Sequence, residues 1–275
     1  MSGCSLPSLP EARNAHTAFV HNKALTLCGG YLSGSSTSSC LVLDVENQRW
    51  EKNVIGDLTM SRHIHAAVSV ENVGTYIIGG QTSSSSSRTT DFLKHGLTEW
   101  TAGPGLPVSM YRPCAVKISQ LSFLAIYNLD IREYQVDVDD PTSSSGWQEA
   151  NKWPSLQTSR GYWPGCALTT DNKVVIAGGR SGSAYHKSSE VLDLRTRTIT
   201  NSGQMTSPRR YFHLATITLG GVAKIFAIGG HSGSSYLDIN EEFRTNSWTL
   251  APTTLAEKRM AFGQVVVEVE TICST

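Results

Sequence analysis

The sequence has few features that would indicate catalysis, metal binding or membrane insertion. It contains no CxxC pair, no GxSxG elbow, no Walker loop and no HExxH sequence. No stretch approaches the ~20 apolar residues of a membrane-spanning helix. The N-terminus lacks the basic and apolar regions of a signal peptide. These absences lead us to expect no catalytic residues, no metal ligands and no contact with a membrane.

Charge is also sparse and balanced. Charged residues make up 17% of the chain, with 23 Lys plus Arg against 23 Asp plus Glu, so nothing attracts it to nucleic acid.

The cysteines form no tight pattern and predict neither a zinc site nor a disulfide framework. Asn-x-Ser/Thr acceptors are also missing. We therefore expect a reduced, cytoplasmic compartment. The cysteines are Cys4, Cys28, Cys40, Cys114, Cys166 and Cys273.

Internal repetition is the strongest positive signal. Glycine pairs end apolar runs at Gly29-Gly30, Gly79-Gly80, Gly178-Gly179 and Gly229-Gly230, and Tyr127-Asn128 stands where a fifth pair would fall. A tryptophan repeats with the same period of about 50 residues, and Ile199 fills its one vacant place. The tryptophans that repeat with this period are Trp50, Trp100, Trp147 and Trp248.

An arginine before an apolar run is the third marker. These arginines are Arg13, Arg62, Arg112, Arg160, Arg210 and Arg259. Each unit also supplies four short strand candidates bounded by Gly, Asn, Ser and Asp. In the second unit they are HAAVSV, GTYIIGG, TTDFLK and the segment around EWTA. No segment sustains a 3.6-residue period, so an all-β fold with almost no helix is predicted.

A period near 50 with a diglycine and a spaced tryptophan resembles the kelch repeat. The resemblance covers about residues 10–270 and implies one β-propeller domain, 1–275, of four-stranded antiparallel blades around a channel. The repeats would span 13–61, 62–111, 112–159, 160–209 and 210–258, followed by a closing strand at 259–270. Five complete repeats with an extra innermost strand fit a fragment, a shortened paralogue or a five-bladed ring. We favour a six-bladed plan with an incomplete blade.

For function, the resemblance implies a scaffold that binds a protein or peptide on one face. Its relatives include substrate-recognition modules of ubiquitin ligases and binders of actin or other cytoskeletal proteins. The alternative is a propeller enzyme that acts on a carbohydrate, an oxidase or mutarotase with its site in the channel. The innermost strands carry Ala, Val, Thr and single His residues rather than clustered acid–base groups, which favours binding. No cofactor is expected.

The candidate binding site lies where chains enter the innermost strands. In kelch relatives this position is near the channel mouth, and in some ligase adaptors an arginine there grips an acidic peptide. Arginine with tyrosine and tryptophan is the combination enriched at binding hot spots. The competing interpretation is that the arginines satisfy carbonyl groups between blades and the aromatic rings fill the seams. The candidate residues are Arg62, Tyr111, Arg112, Arg160, Tyr162, Trp163, Arg210, Tyr211 and Phe212.

Overall fold

A computed structural model describes residues 6–82 and 85–263. Across these residues the chain is all-β, and the single helical element is a 3-10 turn at Ser144–Gly146. None of the described residues belongs to a helix that could cross a membrane. The expected all-β class is confirmed.

Among the described residues, five main antiparallel sheets follow one another along the chain, and each pairs its strands in sequence order; a sixth, smaller sheet accompanies the first. Sheet 1 consists of Thr17–His21, Ala24–Cys28, Cys40–Asp44 and Arg49–Glu51; sheet 2 of Ala66–Val70, Gly74–Ile78, Thr90–Lys94 and Trp100–Ala102. Sheet 3 has only Cys114–Lys117, Ser122–Tyr127 and Asp130–Gln135. Sheet 4 consists of Tyr162–Leu168, Lys173–Ser181, Ser188–Asp193 and Thr198–Gln204; sheet 5 of His213–Leu219, Val222–Ile228, Ile239–Arg244 and Ser247–Thr254.

Short hairpin extensions project beyond the second and third strands. In the first unit, Arg13–Asn14, Tyr31–Leu32 and Ser35–Ser36 form a small three-stranded sheet. In the fourth unit, Ala184–Tyr185 pairs back onto the second strand of sheet 4. These extensions lie on the side of the molecule where the chain enters each sheet.

Burial within a sheet follows the position of the strand. The second strand of sheet 2, Gly74–Ile78, is buried at every residue, because it has a neighbour on each edge and packed layers on both faces. The first strand, Ala66–Val70, instead alternates between buried and more exposed residues. In sheets 1 and 2 the second strand is therefore buried almost continuously, whereas the first strand alternates.

Consecutive sheets pack face to face through apolar cores. Tyr76 and Phe92 of sheet 2 meet Phe123 and Tyr134 of sheet 3, with ring centroids 4.8–5.7 Å from one another. Similar clusters join sheets 1 and 2, sheets 3 and 4, and sheets 4 and 5. Trp248 fills the last of these cores, and its indole nitrogen donates to the Ser189 hydroxyl at 3.0 Å. Ile199 pairs with Leu192 as Trp100 pairs with Leu93, which confirms that it holds the tryptophan position.

Each diglycine connects its sheet to the next unit by a backbone hydrogen bond. The second glycine of each pair donates its N–H to the carbonyl that begins the next unit; for example, Gly80 donates to Met110 at 3.0 Å. The first glycine has a positive φ, and a Cβ on Gly79 would lie 2.5 Å from that same carbonyl oxygen. Both the close approach and the left-handed backbone therefore require glycine. The other pairings are Gly30 to Arg62, Gly179 to Arg209 and Gly230 to Arg259.

The same hydrogen bonds correct the register of the arginine marker. Before sheet 3 the diglycine N–H donates to the carbonyl of Met110, not to that of Arg112. Before sheet 5 it donates to the carbonyl of Arg209, not to that of Arg210. Met110 is fully buried in the slot that arginine occupies elsewhere. From the sequence, an arginine was expected at this position. That expectation failed in the third unit because Met110 occupies the position there.

Sheet 3 departs from the common plan in several ways. Its fourth-strand position is reduced to a bridge between Tyr134 and Trp147. It lacks the diglycine, and Asn128 stands at that place with a φ of +58°. Arg160 donates its backbone N–H to the Asn128 carbonyl at 3.3 Å. The junction between sheets 3 and 4 is thus the irregular one.

The expectation of no disulfide framework was wrong for four cysteines. Cys28 and Cys40 are cross-strand neighbours within sheet 1 and are joined by a disulfide. Cys114 and Cys166 are also joined, across the innermost strands of sheets 3 and 4. Their separation of 52 residues is close to the repeat period, so they occupy similar places in consecutive units. That spacing was the signal available in the sequence.

The first strands of all five sheets, which we call the innermost strands, lie beside a common cavity. From sheet 1 to sheet 5, the innermost strands of consecutive sheets contact each other, and all five line the same cavity. Residues 259–263 lie between sheet 5 and sheet 1: Ala261 accepts from the N–H of Ala15 at 2.6 Å and donates to Tyr211 at 3.0 Å. The predicted closing strand 259–270 continues past residue 263, outside the described residues.

Candidate functional site

One backbone feature recurs within two residues of the start of each innermost strand. Six non-glycine residues have φ between +53° and +63°, one for each of the five sheets and one in the segment 259–263. All six line one cavity of about 600 Å³. Bulky residues rarely adopt this conformation, so its repetition indicates an imposed turn that directs one side chain per unit toward the cavity. The residues are Ala15, Ile64, Arg112, Trp163, Tyr211 and Ala261.

Three consecutive units place an arginine, a tryptophan and a tyrosine at this position. The Arg112 guanidinium carbon lies 3.5 Å from the centre of the Trp163 ring and 3.9 Å from that of Tyr111. The ring of Trp163 stacks on Tyr211 in turn. We call Tyr111, Arg112, Tyr162, Trp163, Arg210 and Tyr211 the mouth cluster.

Arg210 completes the mouth cluster on its other side. Its guanidinium carbon lies 4.6 Å from the ring centre of Tyr211, 4.9 Å from Tyr185 and 5.8 Å from Trp163. Because both arginines approach the same Trp163 ring, their guanidinium carbons are at most about 9 Å apart. The cluster is therefore a row of rings flanked by two cations.

Neither arginine of the mouth cluster has an anionic partner among residues 6–82 and 85–263. Arg112 and Arg210 form no ion pair there, and the Nε atom of each is buried without a hydrogen-bond acceptor. Burial and, as a smaller effect, the like charge of Arg210 lower the pKa of Arg112. The described lining of the cavity contains no carboxylate. This surface is suited to accept negative charge.

Three of the predicted site residues lie elsewhere. Arg62 and Arg160 are fully buried. Arg62 donates to the carbonyls of Gly79 and Thr89 at 3.0 Å and pairs with Asp91 at 2.9 Å. Arg160 does the same with Gly178, Ser188 and Glu190. Phe212 is buried in the core between sheets 4 and 5.

These buried arginines satisfy carbonyl groups, as the competing interpretation held for all of them. Arg13 and Arg209 belong to the same set, and Arg209 pairs with Glu241. A guanidinium group that is fully buried and held by carbonyls and a carboxylate of its own sheet is not accessible to a ligand. Arg62, Arg160 and Phe212 are therefore structural, whereas the other six predicted residues come together as the mouth cluster.

Sequence reasoning missed the rim around the mouth cluster. Tyr31 stacks on His63 at a centroid distance of 5.1 Å, and His231 lies between Tyr185 and Tyr236 at 6.1 and 5.3 Å. Four of these residues follow a diglycine within the short hairpins, as in GGYL, GGRSGSAYH and GGHSGSSY. Aromatic and histidine residues at the hairpin tips were the available signal.

Three histidines at the start of innermost strands bond to neighbouring units. His65 Nε2 lies 2.9 Å from the Thr17 hydroxyl, His213 Nε2 lies 2.6 Å from the Phe262 carbonyl, and His16 Nε2 accepts from Gly263 N–H at 3.1 Å. Burial lowers the pKa of His16 to about 4. In the described part of the chain no three His, Cys, Asp or Glu side chains group as metal ligands. These histidines hold units together in their neutral form.

Comparison with known proteins adds no relative. No family model matches the chain, and no curated protein matches it.

Proposed function

We propose that the chain is a kelch-type β-propeller that binds an acidic segment of a protein or peptide at the mouth cluster. The sequential sheets, the shared cavity along the innermost strands and the segment 259–263 at a sixth position support the propeller. In this arrangement sheets 1 to 5 are blades. The kelch resemblance offers two settings for such a module, substrate recognition in a ubiquitin ligase and attachment to the cytoskeleton.

The observation that carries the binding proposal is the pair of arginines without carboxylate partners beside stacked aromatic rings. Rings supply rigid contact area at little entropic cost, and guanidinium groups bind carboxylates with paired hydrogen bonds. The six side chains are half-buried and preorganised by contacts with one another. An acidic peptide would replace water at two cations that already lie close together.

A peptide selection tests this proposal. A random 12-residue display library is selected in parallel on the wild-type chain, on Arg112→Gln/Arg210→Gln, and on the control Arg49→Gln. Arg49 is an exposed arginine on the outer strand of sheet 1, paired with Glu51 at 2.6 Å. We expect acidic peptides to be enriched by the wild-type and control chains and not by the double variant. Equal enrichment by the double variant, or no acidic enrichment by the wild type, contradicts the proposal.

A further inference from the structure

The disulfide between Cys114 and Cys166 lies directly behind the mouth cluster. Cys114 follows Arg112 by two residues, and Cys166 follows Trp163 by three. The two short segments that carry the arginine–tryptophan stack are therefore joined at their bases, with the cysteine Cα atoms 6.0 Å apart. A change at this bond would be transmitted to the stack through only a few residues of backbone.

The junction between sheets 3 and 4 lacks the diglycine hydrogen bond that connects other units. Elsewhere the N–H of the second glycine donates to the carbonyl that begins the next unit, but sheet 3 has Asn128 at this place, and there the bond runs from the Arg160 N–H to the Asn128 carbonyl. The hydrogen bond from Arg160 to Asn128 is longer, at 3.3 Å, than the 2.8–3.0 Å of the diglycine bonds. The covalent link thus occurs at the junction that lacks the diglycine hydrogen bond.

The two disulfides differ in their accessibility to a thiol. Cys28 and Cys40 are 0% and 2% exposed inside the core between sheets 1 and 2. Cys114 and Cys166 line the central cavity, and Cys114 is half-buried. Thiol–disulfide exchange requires attack on a sulfur atom, so access selects the second pair.

From these observations we propose that Cys114–Cys166 is a reversible thiol–disulfide site that controls the mouth cluster. Two equivalents of a small thiol are oxidised to their own disulfide. The two electrons and two protons pass to the protein, whose S–S bond breaks to leave one thiol on each cysteine. Oxidation holds Arg112 against Trp163, and reduction releases the two segments. The control of binding rests on the function proposed above, whereas the coupling to Trp163 does not.

The test combines thiol trapping, fluorescence and binding on the full chain. The protein is equilibrated in graded dithiothreitol, trapped with maleimide and mapped by mass spectrometry. Trp163 emission is obtained by subtracting the spectrum of Trp163→Phe, and affinity is measured with a labelled peptide from the selection. We expect reduction of Cys114–Cys166 before Cys28–Cys40, a parallel change in Trp163 emission, and about tenfold weaker binding as preorganisation is lost.

Two variants separate the possible outcomes. Cys114→Ser/Cys166→Ser should show the reduced emission and affinity at every thiol concentration, whereas the matched control Cys28→Ser/Cys40→Ser should keep the thiol response. Unchanged Trp163 emission when Cys114–Cys166 is reduced overturns the switch, whether or not any peptide binds. A changed emission without peptide binding in either state supports the coupling and contradicts the proposed binding function instead. Changed emission with equal affinity in both states overturns the control of binding.

Discussion

At the scale of single residues, glycine is required where one unit touches the next. Gly79 combines a φ of +61° with a Met110 carbonyl oxygen that would lie 2.5 Å from an added Cβ. Gly96 also has a positive φ, +80°, but nothing lies within 4 Å of its Cβ position. The two glycines therefore separate the effect of backbone conformation from that of crowding.

We predict that Gly79→Ala lowers the free energy of unfolding by more than Gly96→Ala does. The second variant should lose about 1 kcal/mol from its left-handed backbone, and the first about 1–3 kcal/mol more because the Met110 carbonyl must move. Urea denaturation of both variants measures the difference. Equal losses would show that Gly79 is only a flexible link.

The residue scale also shows where sequence identity misleads. Arg112 and Arg210 belong to the arginine marker by spacing, yet their units begin at Met110 and Arg209. The physical requirement at the marker is a long side chain that fills a buried slot, and methionine meets it without the charge. The two arginines are displaced by two residues and one residue, and this displacement places them at the mouth instead of in the core.

At the scale of strands and sheets, the sequence predicted most of the fold. Diglycines, tryptophans and short apolar runs bounded by turn residues located the strands because each marker has a fixed place in a four-stranded sheet. Sheet 3 was the exception, since its fourth strand is reduced to the Trp147 bridge. The disulfide between Cys114 and Cys166 was missed because it depends on which strands of different units become neighbours, and a single unit does not reveal that.

The innermost strands also predict how stability depends on pH. His16 is buried and its folded-state pKa is about 4, below the value of about 6.5 for an exposed histidine. Above pH 6.5 both states are neutral and full stability is present. Between pH 6.5 and 4 the unfolded chain binds a proton that the folded chain does not, so stability falls, by about 3 kcal/mol from this residue.

Denaturation curves between pH 7.5 and 4.5 check this prediction. His16→Gln should be less stable at neutral pH because it disturbs the bond to Gly263, but its stability should fall less steeply on acidification. His95→Gln, at an exposed residue, is the control and should follow the wild type. An acid slope in His16→Gln as steep as that of the wild type would show that the buried imidazole is not the source.

At the scale of the whole molecule, the repeated turn at the start of each innermost strand creates an uneven opening. Units 1 and 2 and the segment 259–263 place Ala15, Ile64 and Ala261 at the cavity, whereas units 3 to 5 place Arg112, Trp163 and Tyr211 there. The backbone turn is the same in every unit, whereas the side chain at this position differs. In the proposed function the turn belongs to the scaffold and the side chain contacts the ligand. At this position three units thus carry apolar side chains, and the other three carry cationic or aromatic ones.

The measurement that tests this account most directly is the affinity of a selected acidic peptide for the intact and altered mouth. Fluorescence anisotropy is recorded for the wild type, Arg112→Gln/Arg210→Gln and Arg49→Gln, with melting temperatures as the check on folding. We predict that the double variant melts like the wild type and binds at least about 30-fold more weakly, the size of a hot-spot loss, while Arg49→Gln binds normally. A folded double variant that binds with wild-type affinity would contradict the assignment of the mouth cluster as the binding site.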